Sequence, residues 1–255
     1  MTAAVVVWRL LSFAVAAAFV ALWQVVANAR LVSPVFLPGP DRAWAALVRG
    51  FAGGELWAKL VGTLQHMALG WLLASAVGIV LGTLIGSSRA MRAYVAPTLE
   101  FLRPLPASAV IPVAIALFGL TQAMALSVIA FGSIWPLLLA TIHGFAAVEP
   151  RLYEVARALG LSRTAVIFKI ALPSASPDIL AGMRLSLTVA LILSVVCEML
   201  AGLDGLGHWV LLSARAFRSA DLFAGVILLG AIGTLTAQGM AAVERRVLRW
   251  RGRGH

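Results

Sequence analysis

Long apolar stretches cut by short polar segments organise this chain, and their lengths predict what they form. Leu10 to Ala29 carries no charge and is bounded by Arg9 and Arg30, which is long enough for one bilayer-spanning helix. Leu60 to Ser88 is a second uncharged run. Pro104 to Val148 is uncharged and too long for one span; Gly119-Leu120-Thr121-Gln122 near its middle reads as a tight turn between two antiparallel helices. A fifth run follows Pro177-Asp178 and passes through Arg184 to about Leu200, and a sixth covers Leu222 to Val243. The pattern predicts an all-α membrane domain over 1–255, with spans at about 10–29, 60–88, 105–119, 122–144, 179–200 and 222–243.

Between the fourth and fifth runs lies a polar segment over 149–173. Pro150 suits the first position of a helix, where its missing donor costs nothing. Leu152, Val155, Ala156 and Leu159 recur at helical spacing and give one apolar face. Gly160 is placed to end that helix. A second short helix is expected from Ser162, a candidate N-cap, through Val166, Ile167 and Ile170 to Pro173. Such a pair could rest in lipid headgroups, but its face is poor in large aromatics and its charges are mixed, which suits a groove on a protein partner better.

Other segments add detail. Ala27-Asn28-Ala29 imitates a signal-peptidase site, yet the preceding run exceeds a signal sequence's usual apolar core, so the first span is expected to be retained. Ser33 to Pro40 reads as a proline-stiffened connection, with Asp41 as N-cap of a short helix through Ala43, Trp44, Leu47 and Val48; Trp44 and Trp57 are expected at the membrane interface. Gly78, Gly82 and Gly86 fall on one helix face, for close helix packing or a sliding contact, and that face is one candidate contact with a second copy.

Composition agrees with the pattern. Hydrophobic residues make up 62% of the chain, charged residues 12%, and the mean hydropathy is +0.99. A soluble domain carries about 25% charged residues, so the chain is an integral membrane protein. The net charge of +10 reflects the loops and C-terminal tail rather than a nucleic-acid surface. With the N-terminus inside, Arg9, Arg89, Arg92, Arg103, Arg151, Arg157, Arg163, Lys169, Arg184, Arg245, Arg246, Arg249, Arg251 and Arg253 face the cytoplasm; Arg30, Arg42, Arg49, Lys59, Arg215 and Arg218 face out. The positive-inside rule therefore predicts both termini and the Glu154 segment on the cytoplasmic side. Cys197 is the only cysteine, so no intrachain disulfide forms and no metal-site spacing exists. The only lysines, Lys59 and Lys169, stand in no phosphate-binding loop, so no ATP site is expected.

Polar groups inside the runs are candidates for a pathway. Glu198 near the outer end of the fifth span is an outer gate, a partner contact or a snorkelling carboxylate. Gln65, His66 and His143 either line the pathway or bond between helices. Trp135-Pro136 marks a kink in the fourth helix, with a pathway role as the second reading.

The spacing Glu154-Val155-Ala156-Arg157-Ala158-Leu159-Gly160, nine residues, then Ile170-Ala171-Leu172-Pro173 resembles the cytoplasmic EAA loop of ABC-importer permeases. Val155 departs from that family's central alanine. Leu37-Pro38-Gly39-Pro40, Phe101 to Pro106 and Gly205-Leu206-Gly207 extend the resemblance to the aliphatic sulfonate, taurine and nitrate type. The resemblance implies a six-helix, type-I-importer-like permease fold in the bacterial inner membrane, with coupling helices at the Glu154 loop. It implies a subunit that is not itself an enzyme and that works with a second permease copy, expected as a homodimer. Its further partners are an ABC ATPase holding ATP and Mg and a substrate-binding protein outside. Glu154, Val155, Ala156, Arg157, Leu159, Gly160, Ile170, Leu172 and Pro173 then dock the ATPase. The cargo is a small, anionic solute such as a sulfonate, taurine or nitrate; an amino acid, metal or vitamin precursor is the alternative within ABC importers. A stand-alone carrier would show inverted repeats and paired intramembrane carboxylates, and a membrane enzyme would cluster its polar residues; His66, His143, His208 and His255 are scattered.

Overall fold

A computed structural model describes residues 3–250; Arg251, Arg253 and His255 lie outside this range, and the side chain of Arg9 is also outside the described set. Every regular element there is helical. In chain order these are α1 (Ala3–Asn28), α2 (Pro40–Ala52), α3 (Glu55–Gly86), α4 (Arg89–Leu102), α5 (Ala107–Phe118), α6 (Gln122–Ala146), α7 (Pro150–Ala158), α8 (Arg163–Val166), a π turn (Ile167–Ala171), α9 (Leu172–Ala201), α10 (Leu206–Arg215), α11 (Ser219–Val247) and a final 3-10 turn (Leu248–Trp250). Five helices among the described residues are long and apolar enough to cross a membrane, or six if the bent α4–α5 pair counts as one.

The core is the triple α3–α6–α9. In a bilayer, lipid tails are as apolar as leucine, so helices associate through close packing and hydrogen bonds rather than through exclusion from water. The α3 glycines serve that packing. A Cβ on Gly82 would stand 2.5 Å from Thr141 and one on Gly86 2.7 Å from Phe145, both on α6. Gly78 faces Ile134 and Leu137 of the same helix. The face of Gly78, Gly82 and Gly86 is therefore covered within the chain and is not free to contact a second copy. Across the interface, Trp71 Nε1 donates to the Met183 carbonyl at 3.1 Å, and Ser186 Oγ donates to the Ser133 carbonyl at 2.6 Å. By contrast, α1 is exposed over most of its length. It is held by Trp23, which stacks on Phe223 at 5.4 Å and donates to the Pro38 carbonyl at 3.0 Å.

Several boundaries differ from the sequence-based expectation, and proline geometry explains most of them. The third span, expected at 105–119, is only the 12-residue α5, bent 88° from α4. At 1.5 Å per residue α5 covers about 18 Å, short of a ~30 Å hydrocarbon core. Pro104 and Pro106 carry no backbone N–H to continue the ladder, and Pro106 is extended (ψ 121°) where it N-caps α5, so the helix stops at Leu102 and restarts at Ala107. The fifth span does not start after Pro177, and the second loop helix does not stop at Pro173; α8, the π turn and α9 run continuously over Arg163–Ala201. Proline clashes with the carbonyl four residues back. Before Pro173 the bonding shifts to a π register, with the Leu172 N–H reaching the Ile167 carbonyl. At Pro177 the carbonyl left without a backbone donor, that of Pro173, accepts from Ser176 Oγ at 2.7 Å instead. At α2 the N-cap is Gly39 rather than Asp41, because Pro40 takes the first helical position. Trp44 and Trp57 are exposed.

Candidate functional site

Two polar assemblies sit at opposite ends of the α3–α6–α9 core. The first is the α7 loop. Pro150 starts α7, and Gly160 closes it with φ 64°, a left-handed conformation that costs glycine little. The Leu161 N–H bonds the Ala156 carbonyl and the Gly160 N–H the Arg157 carbonyl, both at 3.0 Å, which completes a Schellman ending. Ser162 then caps α8, accepting from the Ala165 N–H at 3.3 Å.

The expected apolar face of α7 divides in two. Ala156 is buried, and half-buried Tyr153 packs with Val148, Phe145 and Ala175 of the core. Burial pushes the Tyr153 phenol above its ordinary pKa, while the Arg92 guanidinium of α4 acts in the opposite direction. Arg92 also donates to the Gly86 carbonyl at the end of α3. Leu152, Val155 and Leu159 instead point outward at 38%, 54% and 69% exposure, a stripe that nothing among the described residues covers. Glu154, Arg157, Gly160 and Pro173 are also exposed. Ile170 and Leu172 do not join this surface; they pack inward on the same core cluster as Tyr153. The loop is thus braced on α9, which continues from it without a break.

The second assembly is buried at the far end. Glu198 on α9 is fully buried among apolar helices, where a lone carboxylate is costly. Its Oε2 accepts from Thr63 Oγ1 at 2.9 Å and from the Gly207 N–H at 2.8 Å, and its Oε1 faces His66 Nδ1 at 3.0 Å. Thr63 and His66 lie one turn apart on α3. Thr63 Oγ1 also accepts from the Leu206 N–H at 2.8 Å. The carboxylate therefore caps the first turn of α10 and ties it to α3. Glycines permit the approach: a Cβ on Gly205 would overlap the Glu198 carboxylate, one on Gly207 the Val195 carbonyl, and one on Gly62 the Asp204 carbonyl. Lys59 and Asp204 pair at the rim.

Glu198 thus neither snorkels nor faces a surface; it is a satisfied, enclosed acceptor. Gln65 is exposed beside His66. His143 lies elsewhere, roughly 30 Å along α6 from Gln122, exposed and 3.8 Å from Asp178. Trp135 lies between, edge-on to Phe131 at 5.8 Å, its buried N–H without a partner among the described residues. It borders a cavity of about 560 Å³ with Arg103, Gly132, Pro136 and Leu185. The pathway candidates therefore do not form one cluster. Sequence reasoning singled out Glu198, His66 and the Gly205-Leu206-Gly207 motif separately. It missed Thr63, whose i,i+3 spacing to His66 was the available signal. Among the described residues no group of acidic, histidine or cysteine side chains fits a metal ion.

Comparisons with known proteins follow the same lines. A family model described as binding-protein-dependent transport system inner membrane component matches residues 74–249. A Bacillus subtilis (strain 168) protein named for aliphatic sulfonates transport as a permease is 34% identical over 92% of this chain and 85% of its own length. The taurine transport system permease protein of Escherichia coli (strain K12) is 32% identical over 95% of this chain and 90% of its own. The bicarbonate transport system permease protein of Synechococcus elongatus is 28% identical over 91% and 86%. Among solved structures, an inward-facing MetNI methionine ABC transporter superposes with a TM-score of 0.65 at 19% identity, covering 82% of this chain and 99% of that one. That last likeness is one of fold.

Proposed function

Because the chain belongs to the family of binding-protein-dependent transport system inner membrane components, and is thus the transmembrane permease subunit of an ABC importer, we propose that its α7 loop is the element through which a partner ATPase drives it. The observation that carries this reading is the uncovered stripe Leu152, Val155 and Leu159 on a helix whose other face is anchored to the core. A rigid ridge of this kind suits a groove on a folded partner. Glu154 and Arg157 flank it with opposite charges that can set orientation. The partner supplies ATP and Mg; this chain binds no cofactor of its own. Closure of two ATPase subunits draws two α7 loops together. Each pulls on its continuous α8–α9 rod, which spans to the far end, and the packed helices rock between inward and outward openings.

In this reading the α7 loop and both termini are cytoplasmic, as the charge distribution supports. The permease works as a pair of identical subunits, and a binding protein delivers cargo at the end carrying α2 and α10. The relatives named for sulfonates, taurine and bicarbonate share an oxyanion group in their cargo, which supports a small oxyanion for this chain too. The test is reconstitution of the permease with its ATPase and binding protein in liposomes. ATP-dependent uptake of ethanesulfonate that disappears with Glu154→Arg or Gly160→Pro, at equal membrane abundance, is the expected result. Undiminished uptake by both variants refutes the docking assignment.

A further inference from the structure

Two cavities follow one another along α6, and Arg103 lines both. The larger, of about 560 Å³, is walled by Arg103, Leu105, Trp135, Leu139, Leu185 and Val189 among others. The smaller, of about 310 Å³, is walled by Arg92, Glu100, Arg103, Leu139 and Ile142 among others. Gly132 and Leu139, which bound the larger cavity on α6, stand roughly 15 and 26 Å along that helix from Gln122. Leu185 on α9 stands roughly 24 Å from Ala201. Both helices thus place this cavity within the ~30 Å hydrocarbon core. Charge counting puts Arg103 with the cytoplasmic residues, but the 12-residue α5 and its 88° bend from α4 hold it at this depth. An arginine there is costly unless it meets water or a partner. Residues 103–106 are exposed and non-helical, and irregular backbone at membrane depth is tolerated only beside protein or a water-filled cavity. With a cavity open against it, this face belongs to an aqueous route. Arg103 stays charged at every physiological pH and pairs with no carboxylate among the described residues. No acidic side chain lines the larger cavity. In the smaller one Glu100 stands against two arginines, so both cavities are net cationic. The rest of the larger wall is mostly apolar. It offers a cation to an oxyanion head and hydrocarbon to an alkyl tail, and no carboxylate to an ammonium group.

We propose that the larger cavity is a membrane-depth binding site for an alkanesulfonate or similar oxyanion with an apolar tail. The Arg103 guanidinium holds the head group through paired N–H···O bonds, and the site takes such an anion in preference to a zwitterion. The smaller cavity passes the head group on toward the cytoplasmic end, with Arg103 serving both. The proposal rests on the importer reading above and names where, and by which charge, the cargo is held.

The test uses the full-length permease in nanodiscs, labelled with 5-fluorotryptophan, the Trp135 resonance being assigned by its loss in Trp135→Phe. Ethanesulfonate should shift that resonance saturably, and the neutral isostere ethyl methyl sulfone should not. Taurine should need about tenfold more, since its ammonium group finds no carboxylate in the wall. Arg103→Gln should raise the ethanesulfonate midpoint at least about tenfold, the loss of a hydrogen bond from a charged group. Arg103→Lys, which keeps the charge without the fork, should raise it less. Arg89→Gln, at an exposed position lining neither cavity, should leave it unchanged. A silent Trp135, an equal response to the sulfone, equal midpoints for taurine and ethanesulfonate, or an unchanged midpoint in Arg103→Gln overturns the proposal. ATP-driven uptake of ethanesulfonate by the reconstituted importer with a silent Trp135 sinks the site alone. A responding Trp135 in a permease that takes up no sulfonate with its ATPase and binding protein supports the site and sinks the importer reading of its cargo alone.

Discussion

Replacing Glu198 with alanine should open the far end of the molecule, and the structure sets the size of the effect. Truncation strands the Thr63 hydroxyl, the Gly207 N–H and His66 Nδ1, all of which meet the carboxylate between 2.8 and 3.0 Å. Each buried polar group left unpaired costs about 1–3 kcal/mol, and three are left. A loss of about 4 kcal/mol is expected. Glu198→Gln should cost about 1 kcal/mol. Its carbonyl can still accept from Thr63 and Gly207, while its amide donates to His66 Nδ1 once the ring proton moves to Nε2. The chain supplies its own reporter, since Cys197 is the sole cysteine, is fully buried and adjoins Glu198. Heating the detergent-solubilised permease with a fluorogenic maleimide reads the exposure of that thiol. Melting should fall in the order wild type, Glu198→Gln, Glu198→Ala, with the larger step last. His66→Ala should cost much less in the Glu198→Ala background than in wild type. Equal melting of the two Glu198 variants, or an unchanged cost of His66→Ala, would refute the network.

Other substitutions separate the roles of the remaining elements. Val155→Asp or Leu159→Asp should abolish copurification of the ATPase while leaving the Cys197 melting curve unmoved, because both side chains are exposed. Gly160→Ala should cost about 1–2 kcal/mol through its left-handed φ, read in the same melting assay. Gly82→Leu should prevent stable folding, seen as loss of a monodisperse peak in size-exclusion chromatography, since even a Cβ would stand 2.5 Å from Thr141 with no space to yield. Lys59→Ala should change stability by less than about 1 kcal/mol, because Asp204 is largely exposed; a larger drop in melting would mean that the rim pair carries structural weight.

The all-helical membrane character, the turn at Gly119 and the helix–glycine–helix form of the α7 loop were all legible in the chain. Each depends on local properties: uncharged length, a glycine able to take positive φ, and apolar spacing within a few residues. The proline-bearing boundaries were not legible. Whether Pro104, Pro173 or Pro177 bends, ends or merely perturbs a helix depends on whether a π register or a side chain such as that of Ser176 satisfies the freed carbonyl. Tertiary packing also decided which way amphipathic residues turned. It drew Ala156 inward and left Leu152, Val155 and Leu159 outside, although all four share one apolar periodicity. The Glu198 network lay furthest from sequence reach. A buried acid in an apolar run announces that it needs partners, but Thr63 and His66 stand more than a hundred residues away and Gly207 contributes only its backbone. Sequence by itself determined that this chain crosses the membrane and carries a helix–glycine–helix loop, because length and periodicity are local. Only the folded structure decided what that loop presents and what the intramembrane charge holds, because hydrogen bonds between distant helices exist only once those helices are packed.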